Sequence, residues 1–216
     1  MKTEILVMSR GTLDASSAGL LKETLRRGGV AVIPTETFYG LAGLVSSREA
    51  VSRVYAVKGR DRAKPLPLLA ANMEMALSLT VAHKPAFFKL AEAFWPGPLT
   101  MVLAASEAVP AAVAGPGRTV AVRVPPLAWL CRLLEELGGP VTATSANLSG
   151  AKEISEPSEA VALFSGRVDL IIDGGPSPGG RPSTIVDLYG ERPVLLREGK
   201  VRRRTLEEVL GSGALA

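Results

Sequence analysis

Residues 28–67 read GGVAVIPTETFYGLAGLVSSREAVSRVYAVKGRDRAKPLP. The glycine pair breaks what precedes it. Val30-Ala31-Val32-Ile33 is short, apolar and rich in β-branched residues, and Pro34 closes it. Such a run between breakers predicts a buried strand. Three small hydroxyl or acid side chains follow, Thr35-Glu36-Thr37, and then Tyr39-Gly40. The spacing predicts a helix from about Ser47 to Val57, with Lys58-Gly59-Arg60 at its end. A strand tip bearing hydroxyls, then a helix, then two cations around a glycine is an α/β pattern. Ligands of open α/β sheets sit at strand tips, so this stretch reads as half of an anion-binding site.

Outward from it, strands are expected at Glu4–Met8, Leu66–Ala70, Leu99–Ala104, Thr119–Val124, Val141–Thr144, Leu170–Asp173, Ser183–Leu188 and Pro193–Glu198. Helices are expected up to Arg27 (capped by Asp14 or Ser16), over Met73–Leu79, Pro85–Phe94, Leu127–Leu137, Ser158–Phe164 (capped by Ser158) and Thr205–Leu210 (capped by Thr205, with Glu208 in the capping-box position). Val109–Val113 reads as a helical turn, and Gly115-Pro116-Gly117 as a loop. Several strand pairs have no helix between them. A twisted mixed sheet flanked by helices therefore fits better than a strictly parallel, doubly wound sheet.

The chain has 216 residues, 47% of them hydrophobic and 21% charged, enough for a full core. One domain, residues 1–216, is the expectation. The net charge of +4 suits a polyanionic ligand without requiring one. Cys131 is the single cysteine and His83 the single histidine. Disulfide frameworks, cysteine metal clusters and histidine-based triads are thereby disfavoured, and no protein-held metal site is expected. No signal sequence or membrane-length apolar run is recognisable, which makes the cytoplasm the default compartment.

Four polar clusters fall at strand ends. Thr35–Thr37 suits an ordinary turn or a ligand contact. Lys58-Gly59-Arg60, with Asp61, Arg62 and Lys64, suits a solvated face or a phosphate cradle. Arg123 lies between Val122 and Val124, where an unpaired guanidinium would be expensive to bury. Its partner is open between a ligand and a structural carboxylate. Ser145-Ala146-Asn147-Leu148-Ser149-Gly150 suits an Asx/Ser turn or a backbone nest for phosphate. Ser183-Thr184 and Arg197 echo these groups later in the chain. Neither a P-loop nor a dinucleotide fingerprint is present.

In this order, PTETFYGL (34–41), KGR with PLPLL (58–60, 65–69), FWPGPLTMVL (94–103), TVAVRVP (119–125), TSANLSG (144–150), STIVDL (183–188) and LREG (196–199) resemble the YrdC-like threonylcarbamoyl-AMP synthase family. The resemblance implies a single twisted α/β domain around an open, concave, basic cavity. It implies synthesis of threonylcarbamoyl-AMP and pyrophosphate from L-threonine, bicarbonate and ATP, with Mg²⁺ accompanying ATP. The product would feed threonylcarbamoyl-adenosine formation in tRNA through a downstream transferase complex. It further implies that Thr37, Arg123 and Ser183 contact threonine, with Arg123 on its carboxylate. Arg60, Thr119, Ser145, Asn147 and Arg197 would contact the nucleotide, and Lys58 and Arg60 the phosphates. Some members carry a histidine where this chain has Leu69. Longer members carry a second C-terminal domain, and this chain looks like the short form. The alternative reading is a non-catalytic module that holds tRNA or double-stranded RNA in the same basic cavity. A hydrolase of carbamoyl-type adducts, or a maturation factor sharing the domain, is a third.

Overall fold

The computed structural model describes residues 2–216. The predicted opening strand forms as β2 (Val30–Ile33), with all four residues buried. Its alternation divides two cores: Val30 and Val32 join one apolar cluster, Ala31 and Ile33 the other. A strand buried on both faces must be central. β2 accordingly lies between β10 (Leu170–Asp173), which is parallel to it, and β3 (Gly40–Gly43), which is antiparallel. β1 (Glu4–Val7) adds to β10, and β9 (Thr144–Ser145) adds to β3. The resulting order is β1-β10-β2-β3-β9.

A second sheet runs β12-β11-β6-β7-β4-β8, with β5 (Thr80–Val81) on β6. Its strands are β4 (Leu68–Leu69), β6 (Leu99–Ala105), β7 (Thr119–Arg123), β8 (Val141–Thr142), β11 (Thr184–Asp187) and β12 (Val194–Arg197). The mixed character matches expectation: β11 runs parallel to β6 and β4 parallel to β7, while β7 is antiparallel to β6 and β12 to β11. The one expected sheet is divided by its hydrogen bonding into two. The reason lies at 141–145, expected as one strand. Val141 and Thr142 pair with β4, whereas Thr144 and Ser145 pair with β3. Ala143 lies at the corner and gives its N–H to the Pro67 carbonyl at 2.7 Å.

Among the described residues, seven α-helices cover these sheets. α1 (Ala15–Arg26) and α5 (Ala128–Leu137) pack on the face of Ala31 and Ile33 through Leu21, Leu25, Leu130 and Leu134. Asp14 caps α1 by accepting from the Ser17 N–H at 3.0 Å. α2 (Arg48–Lys58), α3 (Met73–Ser78) and α6 (Pro157–Phe164) pack with the face of Val30 and Val32. α4 (Pro85–Phe94) and α7 (Arg203–Leu210) bury a third cluster built on Leu99, Met101 and Leu103 of β6 and Val186 of β11. Two caps differ from expectation. α6 begins at Pro157, whose fixed φ suits the first helical turn, so Ser158 lies inside the helix. α7 begins at Arg203, placing Thr205 inside it, and Glu208 pairs with Arg204 rather than capping. Among the described residues, no helix is long and apolar enough to cross a membrane.

Candidate active site

Leu99, Met101 and Leu103 face the α4/α7 core, so the intervening Thr100 is directed to the opposite side of the sheet. There a cavity of about 180 Å³ opens, lined by both sheets. A larger groove of about 680 Å³ between α1 and α5 is mostly apolar. The smaller cavity gathers the polar groups: Arg60, Arg123 and Arg197 converge on it with Thr37, Ser145, Ser183 and Glu153. A concave pocket onto which a few polar groups converge has the character of a binding site.

The turn after β2 is held by its own hydroxyls. Thr35 donates to the Phe38 carbonyl at 2.6 Å, and its Oγ1 lies 3.0 Å from that of Thr37. The glycine-rich loop 174–182 is tied to this turn. Gly179 N–H donates to the Thr37 carbonyl at 2.8 Å, and the Tyr39 hydroxyl donates to the Gly175 carbonyl at 2.7 Å. Burial pushes that phenol up to about 12, which keeps it a donor.

α2 ends at Gly59 in the left-handed conformation, φ 60°, so the chain turns sharply between Lys58 and Arg60. Arg60 faces the cavity and anchors Nη2 on the Pro65 carbonyl at 2.9 Å. Lys58 goes the other way. It is 3% exposed and is not on the cavity wall. Its ammonium donates to the Ser145 carbonyl at 2.6 Å and to Asn147 Oδ1 at 2.7 Å, with the Asn147 carbonyl at 3.2 Å. Desolvation, and then the charge of Arg60, lower its pKa to about 8 against the pull of Glu153. Asn147 is also buried off the wall, where its Oδ1 accepts from the Ser145 hydroxyl at 2.7 Å. Lys58 and Asn147 thus support the turn that presents Ser145.

Arg123 at the end of β7 is buried and lines the cavity. Its Nη1 is paired with Glu36, so a structural carboxylate is its partner within the chain. Burial, then nearby Arg197, lower its pKa; burial is the larger cause, and Glu36 opposes both. Arg197 of β12 donates from Nη2 to the Ser183 carbonyl at 2.8 Å and to its hydroxyl at 3.2 Å. The Thr100 and Ser183 hydroxyls lie 3.0 Å apart. Thr119, expected near the nucleotide, is not among the residues lining this cavity, although it shares a face of β7 with Arg123; its hydroxyl donates to the Pro116 carbonyl at 3.0 Å.

Sequence reasoning gave Glu36 no role beyond its place in the Thr35–Thr37 turn, and assigned none to Thr100, Thr142, Thr144, Glu153 or Lys200. Thr100 could have been found: a threonine alternating with Leu99, Met101 and Leu103 must face away from the core. Lys200, which donates from Nζ to the Glu36 carbonyl at 2.6 Å, had no such signal.

A family model named for Sua5, YciO and YrdC, and described as "Telomere recombination", matches residues 23–199. The threonylcarbamoyl-AMP synthase of Pyrococcus abyssi is 38% identical over 207 residues, covering 96% of this chain and 61% of the relative. That of Bacillus subtilis is 35% identical over 198 residues, covering 91% of this chain and 56% of the relative. The chain therefore spans about three-fifths of these curated relatives. The crystal structure of P. abyssi Sua5 complexed with L-threonine superposes with a TM-score of 0.91 at 33% identity, covering 100% of this chain and 63% of that one. With a family model matched over most of its length, the chain belongs to the Sua5/YciO/YrdC family.

Proposed function

We propose that this chain is a threonylcarbamoyl-AMP synthase, converting L-threonine, bicarbonate and ATP to threonylcarbamoyl-AMP and pyrophosphate. The observation that carries the proposal is the convergence of Arg60, Arg123 and Arg197 with Thr37, Ser145 and Ser183 in one cavity. It occurs in a fold shared with a Sua5 complexed with L-threonine. Arg123 takes the threonine carboxylate through its guanidinium fork, with Thr37 and Ser183 beside the rest of the amino acid. Arg60 and Arg197 take the phosphates, and the Ser145 turn, braced by Lys58 and Asn147, receives the nucleotide. Thr119, on the same strand as Arg123, stays on the nucleotide side of this assignment.

The threonine amine, once deprotonated, attacks the carbon of bicarbonate, and water leaves to give a carbamate. A carbamate oxygen then attacks the α-phosphorus of ATP in line with the leaving pyrophosphate, forming the mixed anhydride. The protein supplies position and positive charge, which carry most of the work in such transfers. Mg²⁺ enters with ATP as part of the substrate. Among the cavity-lining side chains only Glu153 is a carboxylate, and no group of three or more potential metal ligands occurs among the described residues.

The product is a reactive anhydride, consumed by a transferase complex that modifies tRNA in the same aqueous compartment, the cytoplasm. Residues 1–216 act as one catalytic domain in this reading. The test is pyrophosphate release by the purified chain with MgATP. The expected result is a rate that requires both L-threonine and bicarbonate. Release that ignores threonine overturns the assignment.

A further inference from the structure

The Arg123–Glu36 pair does more than neutralise a buried charge. Glu36 holds only one corner of the guanidinium, Nη1. Its other oxygen, Oε2, is buried without a partner, so the pair is not the two-pronged fork that arginine and carboxylate usually form. The Nε and Nη2 groups of Arg123 have no hydrogen-bond acceptor within the described residues, yet neither is among the sealed, unsatisfied atoms. Because Arg123 lines the cavity, these N–H groups open onto it. One edge of the guanidinium is thus held from behind, and the other is left for a planar anion.

Glu36 itself is fixed. Its neighbours Thr35 and Thr37 share a hydroxyl contact of 3.0 Å, and its carbonyl accepts from Lys200 Nζ at 2.6 Å. On the other side, the Arg123 carbonyl accepts from the Ala70 N–H at 2.9 Å, which anchors the strand that carries the guanidinium. Burial restricts the torsions of an arginine, and a hydrogen bond at its far end fixes the plane of the guanidinium as well.

We infer that Glu36 is a positioning residue for threonine recognition. It clamps Nη1 so that the remaining donors of Arg123 face the cavity in the plane a carboxylate needs. This rests on the reading of Arg123 as the amino-acid clamp. The pinning needs an acceptor oxygen at the reach of a glutamate side chain, and it does not need the negative charge.

Steady-state pyrophosphate release by the whole chain tests this, with threonine and ATP varied separately. Glu36→Ala is expected to raise the threonine KM at least about tenfold and leave the ATP KM within about twofold. Glu36→Gln keeps an oxygen at the same reach and stays within about threefold of the parent threonine KM. Glu36→Asp keeps the charge but loses one methylene of reach, and its threonine KM rises as in the alanine variant. The Gln and Asp pair decides the matter if Glu36→Ala does not fold. An Asp variant equal to the parent beside an impaired Gln variant would show that charge, not reach, is what matters, and would overturn the inference. So would equal rises in both KM values, which mark a merely structural role. Tighter threonine binding in the Ala or Gln variant would show that Glu36 competes for Arg123 rather than presenting it. A parent chain without threonine-dependent release removes the clamp reading before any variant is made, and this inference with it.

Discussion

Lys58 is a cation whose donors are all directed into the protein. Four oxygens of Ser145 and Asn147 surround its ammonium, although burial favours the neutral amine and holds its pKa at about 8. The folded-state value lies below the 10.5 of a free lysine. Between those pH values the unfolded chain holds a proton that the folded chain has shed, so this group's share of stability rises with pH. Lys58→Met has no proton to shed. Urea denaturation of both proteins at pH 7 and pH 10 should show the difference moving in favour of the parent at the higher pH. Identical differences at the two pH values would mean that the oxygen cage keeps the ammonium charged throughout. Arg60, one glycine away, faces the cavity instead. Its replacement by alanine removes phosphate contacts, and kcat/KM for ATP is expected to fall about a hundredfold, with circular dichroism unchanged. Arg60→Lys should recover little of this, because a point charge does not reproduce a guanidinium fork. A rate within a few-fold of the parent for Arg60→Ala would remove Arg60 from the phosphate site.

At the scale of elements, the approach of the β12 loop to the start of β11 sets the far wall of the cavity. Gly199 follows Arg197 and Glu198, and a Cβ placed there would lie 2.7 Å from the Ser183 carbonyl carbon and against the Pro182 carbonyl oxygen. Both neighbours are backbone and cannot rotate aside. Gly199→Ala should push this loop off Ser183, loosening Arg197 and Lys200 together, and cost about 1–3 kcal/mol of stability. Denaturant melts measure the cost, and a neutral substitution would show that the loop is freer than its packing implies. Most elements were legible from local pattern: β2, α4 and β10 fall at the expected residues. β3 was not. Gly40-Leu41-Ala42-Gly43 has no β-branched residue and reads as a turn, and it becomes a strand only because β2 and β9 pair with it on both sides. The caps of α6 and α7 failed for a related reason. Ser158 and Thr205 are good capping types, but the chain enters both helices earlier, and neither Glu156 nor Arg202 makes a side-chain cap bond.

At the scale of the whole molecule, the site is a product of the two-sheet arrangement. Ile33, Thr35, Thr37 and Ser145 come from the five-stranded side, whereas Leu69, Thr100, Arg123, Ile185 and Arg197 come from the seven-stranded side. The sequence motifs supplied the residues of both walls but not their pairing. Nothing local to Glu36 announces Arg123, 87 positions away, or predicts that Ala143 turns one strand into two sheets. The same long-range character explains why Lys58 and Asn147 turn into the protein rather than line the cavity: motif membership fixes position in the chain, while side-chain direction is fixed by what the element packs against. A ligand that touches both walls couples the two sheets and binds only the folded chain. At a hundredfold excess over its Kd, such a ligand stabilises the fold by about 2.7 kcal/mol. For a chain of this size that raises Tm by about 5–11 °C. MgATP and L-threonine are each expected to raise Tm in scanning fluorimetry. Arg123→Ala should lose threonine's share and keep that of ATP, and Arg60→Ala should do the reverse. A threonine shift that survives Arg123→Ala in full would place the amino acid elsewhere and leave the Arg123–Glu36 pair a purely structural bridge between the strand tip of β2 and the end of β7.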